Sequence, residues 1–165
     1  MLSTPLVTFR EKMTYLAVRT KVRQQDIPAT LPPLLPQVYA WMKQHDITPG
    51  GPPFFLYRSM DNDKVLVAEA GVPVSAGISS NGYVFSDALP EGKYATILHT
   101  GDYKNMMEGH MALEAWVVKK GLKEKHCQGS YGTIWCRAEF YLNDPADEPD
   151  PAKWITEIVM LLETE

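Results

Sequence analysis

The chain has 165 residues, of which 45% are apolar and 22% charged, and its formal net charge is −4. This length and composition are typical of one globular domain with a hydrophobic core. The acidic balance and scattered basic residues argue against nucleic-acid binding, and no apolar run is long enough to span a membrane.

The first half of the chain predicts the order strand, helix, strand, strand. Leu34, Val38 and Trp41 recur at i, i+4 and i+7, which is the spacing of an amphipathic helix. Alternating apolar residues on either side of a short polar turn indicate a hairpin. The predicted elements are strands within 6–22, a loop at 23–33, a helix at 34–45 and strands at 54–59 and 65–74.

The second half repeats this order. Gly121 is a typical residue just beyond the C terminus of a helix. The apolar stripe predicted for that helix consists of Met107, Met111, Ala115 and Val118. The predicted elements are strands at 83–85 and 93–100, a helix at 104–120, a loop at 121–132, and strands at 133–142 and 154–162.

Four local similarities, in the same order in both halves, indicate an internal duplication. We therefore predict one α+β domain over residues 1–165, built from halves at about 1–77 and 78–165. Each half consists of a strand, a helix and two further strands. The strands of both halves form an antiparallel curved sheet, each half supplies one of the two main helices, and a cleft lies between the halves. The similar segments are 15–18 and 94–97, 40–41 and 115–116, 55–57 and 139–141, and 65–69 and 153–157.

The strand at 133–142 has two unlike faces, because side chains alternate along a strand. On one face, Glu139 lies between Trp135 and Tyr141, with Arg137 and Thr133 beyond them. An acid between large aromatic rings is typical of a pocket floor that binds an organic molecule, including a cation. The opposite face is apolar and carries Ile134, Cys136, Ala138, Phe140 and Leu142.

Two segments of the second half, 137–145 and 153–158, resemble the signature of the gyrase-inhibitor-like (GyrI-like) family. Residues 101–103 and 71–74 resemble other landmarks of that family, which also forms the effector-binding domains of AraC-type and MerR-type regulators. The resemblance implies a pseudo-two-fold α+β fold with a ligand cleft. It also implies a glutamate among aromatic residues in that cleft, a role that falls to Glu139.

The resemblance leads first to the hypothesis of a stand-alone binding protein for amphipathic, aromatic or cationic organic ligands. Glu139 then supplies a negative charge or a hydrogen-bond acceptor, and the stacking walls are Trp135, Tyr141, Tyr57 and Phe55. In the first half, Phe55 occupies the position that corresponds to Glu139. We therefore expect one acid at the centre of the cleft rather than two.

The second hypothesis is a hydrolase of cyclopropane-bearing natural products. Here an apolar cleft raises the pKa of Glu139 so that the carboxylate acts as general base, assisted by Tyr141 or Tyr57. A third interpretation is a protein-interaction module that restrains gyrase, although no interface is marked in the sequence.

We expect neither a metal nor a cofactor. The four histidines lie on different predicted elements without the spacing of metal ligands, and no glycine-rich nucleotide motif is present. The two cysteines make neither a disulfide scaffold nor a metal cage. The histidines and cysteines are His45, His99, His110, His126, Cys127 and Cys136.

The start of the sequence lacks a signal peptide, so we expect a cytoplasmic protein with reduced thiols. No helix-turn-helix precedes the first strand, which favours a module that acts alone or through a separate protein partner rather than by direct DNA contact. Glu69 and Glu157 occupy equivalent strand positions, and we expect both to face solvent.

Overall fold

Within residues 1–129 and 132–164, which the computed structural model describes, nine strands form one curved antiparallel sheet. Residues 128, 129, 132 and 133 are described by their backbone alone. The strands are β1 (Leu6–Arg10), β2 (Met13–Arg23), β3 (Phe54–Met60), β4 (Val65–Pro73), β5 (Phe85–Leu89), β6 (Gly92–Thr100), β7 (Cys127–Gly129), β8 (Gly132–Tyr141) and β9 (Ile155–Leu161). Along the sheet they are ordered β1-β6-β9-β8-β3-β4-β2-β5, and β7 pairs with β8.

Two longer helices pack on the sheet, so the predicted α+β class with two main helices is confirmed. α2 contacts β2 and β4, and α3 contacts β6. None of the described helices combines the length and apolar character that crossing a membrane requires. The helices are α1 (Ile27–Thr30), α2 (Leu34–Gln44) and α3 (Met106–Lys119), and single 3-10 turns lie at Gln24–Asp26, Tyr103–Asn105 and Pro151–Lys153.

The strand order is the same on both sides of the central β3–β8 pair. Outward from the centre, one side runs β3, β4, β2, β5 and the other runs β8, β9, β6, β1. The edge strands are exchanged between the two halves. β1 belongs to the first half but pairs with β6 of the second, and β5 belongs to the second half but pairs with β2 of the first. This equal order supports our proposal of a duplication with halves at about 1–77 and 78–165.

The apolar stripe predicted for α3 is wrong. Met107, Met111 and Val118 are 47%, 63% and 76% exposed. α3 carries apolar residues on several faces, so the periodicity of the sequence alone does not identify the face that packs on the sheet. A Cβ atom on Gly109 would lie 2.6 Å from Cδ1 of Ile158, which shows how closely this face approaches β9. The residues that α3 buries are Met106, Gly109, Leu113 and Val117.

Two of the predicted loops and one predicted strand differ from the structure. The loop predicted at 23–33 contains a 3-10 turn and α1. The strand predicted at 83–85 is instead β5, which begins only at Phe85 and continues to Leu89. Residues of low strand propensity are extended there because they pair with β2. The loop predicted at 121–132 contains β7, and Ser130 and Tyr131 lie outside the described residues.

Each face of the sheet buries a different part of the core. Tyr15, Phe54, Tyr94 and Phe140 meet on the face away from the helices. Separate clusters fill the spaces under α3 and under α2. Between the two helices the central strands β3 and β8 stay open, and this opening is the cleft predicted between the halves.

Candidate functional site

A cleft of about 1820 Å³ lies over β3 and β8, between α2 and α3. Its floor and walls include all five residues predicted to bind a ligand: Phe55 and Tyr57 from β3, and Trp135, Glu139 and Tyr141 from β8. The side chain of Thr133, predicted on the same face, lies outside what the structure describes. Other residues of the lining are Leu35, Tyr39, Met107, His110, Met111 and Leu142.

Glu139 is buried in the floor of the cleft, with 7% of its surface exposed. Its Oε1 accepts hydrogen bonds from the hydroxyl of Tyr57 at 3.0 Å and from that of Tyr141 at 2.7 Å. Its Oε2 accepts a hydrogen bond from Nε2 of His110 at 2.5 Å. The three donors come from β3, β8 and α3, so the carboxylate connects the sheet to the helix wall.

These hydrogen bonds decide the charge of Glu139. Burial by itself raises the pKa of a carboxyl group, but the bond and charge of His110 and the two tyrosine bonds bring the pKa of Glu139 below its ordinary value. Burial, followed by the nearby Glu139 charge, raises the pKa values of Tyr57 and Tyr141 well above normal. At neutral pH the site therefore holds a carboxylate and two neutral hydroxyl donors. The raised pKa that the hydrolase hypothesis requires of Glu139 is not found, because three donors outweigh the apolar surroundings.

Sequence reasoning missed His110. Its side chain is 14% exposed, and its ring lies 6.3 Å from that of Tyr57 in an edge-to-face arrangement. On α3 it lies in a row with Met107, Met111 and Glu114, which all line the cleft. A histidine within a methionine-rich stripe was a usable signal, but the four histidines were tested only for the spacing of metal ligands.

Aromatic rings hold Tyr141 in place beside Glu139. Phe55 contacts Tyr141 edge-to-face with ring centres 5.0 Å apart, and Tyr103 does so at 5.4 Å. Tyr103 in turn stacks on Trp154 at 4.5 Å. Ring faces and edges in such a cleft can bind planar or cationic groups of a ligand.

The far end of the floor is formed by Trp135 and Arg137. The guanidinium carbon of Arg137 lies 5.4 Å from the centre of the Trp135 ring. Arg137 donates to Glu124 at 2.6 Å and 2.7 Å and also to Glu114. Two carboxylates therefore compensate its charge, and it is not among the described partners of Glu139.

A second buried acid, Glu69, contradicts the expectation that it faces solvent. Glu69 is fully buried, accepts a hydrogen bond from Tyr15 at 2.5 Å, and pairs with Arg19 at 2.9 Å and Arg58 at 3.3 Å. These partners come from β2 and β3, so local sequence gave no sign of them. Glu157, at the equivalent position of β9, is 22% exposed and pairs with Arg10 at 2.7 Å.

Within the described ranges, no group of three or more His, Cys, Asp or Glu side chains is arranged to hold a metal ion. Leu142, predicted on the apolar face of the last floor strand, lies beyond the end of β8 and is 45% exposed at the cleft. The regular alternation of side chains stops where the strand stops.

The sequence profile of the GyrI-like small molecule binding domain matches residues 7–163 of the chain. No curated protein matches this chain. The fold is similar to that of EcmrR in a complex with DNA, with a TM-score of 0.77 and 20% identity over 98% of this chain and 58% of that chain. The C-terminal domain of EcmrR alone gives a TM-score of 0.75 and 19% identity, with 98% of each chain covered. The chain thus spans less than two thirds of the EcmrR chain and corresponds to its C-terminal domain.

Two further structures share the fold. SAV2435 bound to tetraphenylphosphonium has a TM-score of 0.64 and 13% identity, covering 98% of this chain and 94% of that one. A hydrolase from Listeria innocua has a TM-score of 0.64 and 15% identity, covering 96% of this chain and 91% of that one. At these identities the likeness establishes the fold alone.

Proposed function

The chain belongs to the family of GyrI-like small-molecule-binding domains, and we propose that it binds amphipathic organic cations in the cleft over β3 and β8. The observation that carries this proposal is the ionised, buried Glu139 in the floor of an aromatic cleft. A buried carboxylate is costly to maintain unless something compensates its charge. A ligand cation that stacks between Phe55, Trp135 and Tyr141 supplies that compensation together with apolar contact.

The shape of the cleft favours a bulky ligand. A volume of about 1820 Å³ is larger than one drug-sized molecule fills. Met107 and Met111 lie on the helix wall and are largely exposed. Flexible methionine side chains can repack around ligands of different shape, which favours broad over narrow specificity.

Hydrolysis of a strained ring, as in a cyclopropane-bearing natural product, is the second candidate. Glu139, Tyr57, Tyr141 and His110 form one hydrogen-bonded group that is able to orient and deprotonate a water. The fold likeness to the Listeria innocua hydrolase is compatible with this chemistry. The lowered pKa of Glu139 makes it a weak base, however, so we prefer binding.

The proposed function also concerns how a bound ligand is detected. We infer that the ligand-bound state is passed on to another domain or to a partner protein, since EcmrR contains a domain of this fold in a protein that is solved in a complex with DNA. A cytoplasmic location and a direct contact with gyrase stay sequence-based predictions.

Titration of the purified protein with tetraphenylphosphonium, followed by tryptophan fluorescence, tests the proposal. Trp135 lies in the cleft, so its emission is expected to change on binding. Triphenylphosphine oxide, a neutral aromatic compound, serves as the comparison and is expected to bind more weakly. Equal affinity for the two compounds would show that charge is not recognised.

Mass spectrometry separates binding from turnover. The protein is incubated with cyclopropane-bearing natural products, and the compounds are then examined for added water. Unchanged compounds agree with a binding protein. Turnover that falls by about 100-fold in Tyr57→Phe or Tyr141→Phe would favour the hydrolase instead.

A further inference from the structure

We propose that His110 occupies the cation subsite of the cleft, so that a cationic ligand binds Glu139 by displacing the His110 imidazolium, which then loses its proton. This inference rests on the proposed function and adds to it a residue that determines specificity. It makes the preference of the cleft for cations depend on pH.

The geometry around Glu139 directs a cation towards Oε2, beside His110. Oε1 already accepts two hydroxyl groups, from Tyr57 and Tyr141. Oε2 lies 2.5 Å from Nε2 of His110. A carboxylate oxygen can accept from the ring only through an N–H, so Nε2 carries a proton. A ligand cation that approaches Oε2 from the cleft therefore lies next to His110 and competes with it for the charge of Glu139.

The surrounding charges single out His110 as this competitor. On the helix side, Glu114 lies one turn further along α3 and is bonded to Arg137 of β8. Lys104, before α3, is exposed at the cleft rim. Across the cleft, the rim carries the exposed acids Asp144 and Asp147.

Among the residues that the structure describes, His110 is thus the basic side chain that contacts Glu139. Histidine is also the side chain whose charge ordinarily changes between about pH 5 and pH 8. A histidine beside Glu139 can thus either carry or lack a positive charge, whereas an arginine or lysine would remain charged.

The direction of the pH effect follows from competition. A bound cation beside Glu139 disfavours a second positive charge on His110, so binding expels the histidine proton. By reciprocity, removing that proton at higher pH strengthens cation binding. Release of one proton gives a rise in affinity of at most about tenfold per pH unit. A neutral ligand that leaves the His110–Glu139 pair intact is not affected in this way.

The test measures tetraphenylphosphonium binding by calorimetry from about pH 5.5 to about pH 8.5, the range over which histidine titrates. Tetraphenylphosphonium keeps its charge throughout, so any pH effect belongs to the protein. Comparing buffers of different ionisation enthalpy counts the protons released. For the wild type we expect affinity to rise about tenfold or more with pH, with up to one proton released per ligand at the acidic end.

Two variants change the subsite in opposite directions. His110→Gln keeps a hydrogen-bond donor without charge, so we expect no proton release from this position and tight binding that changes little with pH near neutrality and above. His110→Lys keeps a permanent cation, so we expect weak binding at all pH values. His45→Gln is the control, because His45 is an exposed histidine that donates to the carbonyl oxygen of Trp41 at 2.8 Å and is not among the residues that line the cleft. It should retain the wild-type profile.

The outcomes distinguish this inference from the proposed function. Wild-type binding that does not change with pH, or a His110→Gln variant with the wild-type pH profile, overturns the role of His110 and leaves cation binding standing. Failure of the wild type and of His110→Gln to bind tetraphenylphosphonium at any pH rejects the proposed cation binding, and the inference falls with it. Circular dichroism and thermal unfolding establish that each variant is folded before it is compared.

Discussion

Phe55 and Glu139 are direct cross-strand partners at the centre of the sheet, on β3 and β8. In the proposed duplication they are also equivalent to each other, since Phe55-x-Tyr57 matches Glu139-x-Tyr141. Two acids at these positions would lie about 5 Å apart at their Cβ atoms and would raise each other's pKa. Phe55 instead packs edge-on against Tyr141. The pair therefore contributes one negative charge, rather than two, to the floor of the cleft, with an aromatic ring beside it.

The charge of Glu139 is expected to determine cation affinity. Replacing Glu139 by Gln should weaken tetraphenylphosphonium binding by roughly 1.5–3 kcal/mol, the scale of the attraction between two unit charges about 6–10 Å apart at an effective dielectric constant of about 20. Triphenylphosphine oxide should lose less, because it carries no charge for the carboxylate to attract. Calorimetry on both ligands gives the comparison.

Asp147→Asn is the control for that experiment, since Asp147 is an exposed acid at the rim of the same cleft. Its removal should change cation affinity only slightly, because water screens an exposed charge. Equal losses for the charged and neutral ligands in Glu139→Gln would show that Glu139 does not read charge.

The two tyrosine hydroxyls are expected to support the folded state and the ionised carboxylate. Tyr57→Phe or Tyr141→Phe removes one hydrogen bond to Glu139 and should cost about 1 kcal/mol in the free energy of unfolding. Because both bonds lower the pKa of Glu139, each substitution should also raise that pKa. Denaturant unfolding and NMR titration of the carboxyl carbon measure the two effects. Tyr83→Phe, at a 66% exposed position, should change neither.

The buried ion cluster on the other face is expected to matter for stability rather than for binding. Glu69→Gln leaves Arg58 and Arg19 without their buried counter-charge and should lower the free energy of unfolding by about 3 kcal/mol. Glu157→Gln, at the equivalent but partly exposed position, should cost less than about 1 kcal/mol. Similar losses in the two variants would contradict a special role of burial at Glu69.

The sequence was most informative where a period of two residues separates the faces of a strand. Trp135, Glu139 and Tyr141 were predicted on one face of β8, and the structure places all three in one cleft. Family resemblance then supplied the role of Glu139 and the second wall from β3. The local chain was sufficient here because alternation along a strand depends on backbone geometry alone.

Other features depended on partners distant in sequence. Glu69 is buried because Arg19 and Arg58 approach it from other strands, and nothing within β4 indicates this. His110 reaches Glu139 from α3, which approaches β9 closely at Gly109, and the stripe predicted to face the sheet is exposed instead. The hydrolase hypothesis assumed a raised pKa of Glu139 for the same reason, since the donors that lower this pKa come from three separate elements.

The last prediction concerns the acidic end of the pH profile, where Glu139 itself takes up a proton. Its pKa in the folded protein lies below the ordinary value, because the hydrogen bonds and the His110 charge outweigh burial. The carboxylate therefore stays charged as the pH falls to that of ordinary glutamates, about 4.3. The part of the cation affinity that depends on the Glu139 charge, as distinct from the effect of His110 at higher pH, should be lost only as the pH falls further, through the lowered pKa. The stability that these bonds contribute is likewise present above the unfolded-state pKa and disappears over the same acidic range.

His110→Gln should move this acidic loss to higher pH. The variant lacks the imidazolium charge, which is one cause of the lowered pKa of Glu139, so that pKa rises. The same variant should thus lose the pH dependence that we attribute to His110 near neutrality and gain an earlier loss of affinity in acid. NMR titration of Glu139 in both proteins, together with tetraphenylphosphonium affinity at each pH, measures the shift directly. An acidic loss that occurs at the same or lower pH in His110→Gln would show that His110 does not stabilise the Glu139 carboxylate.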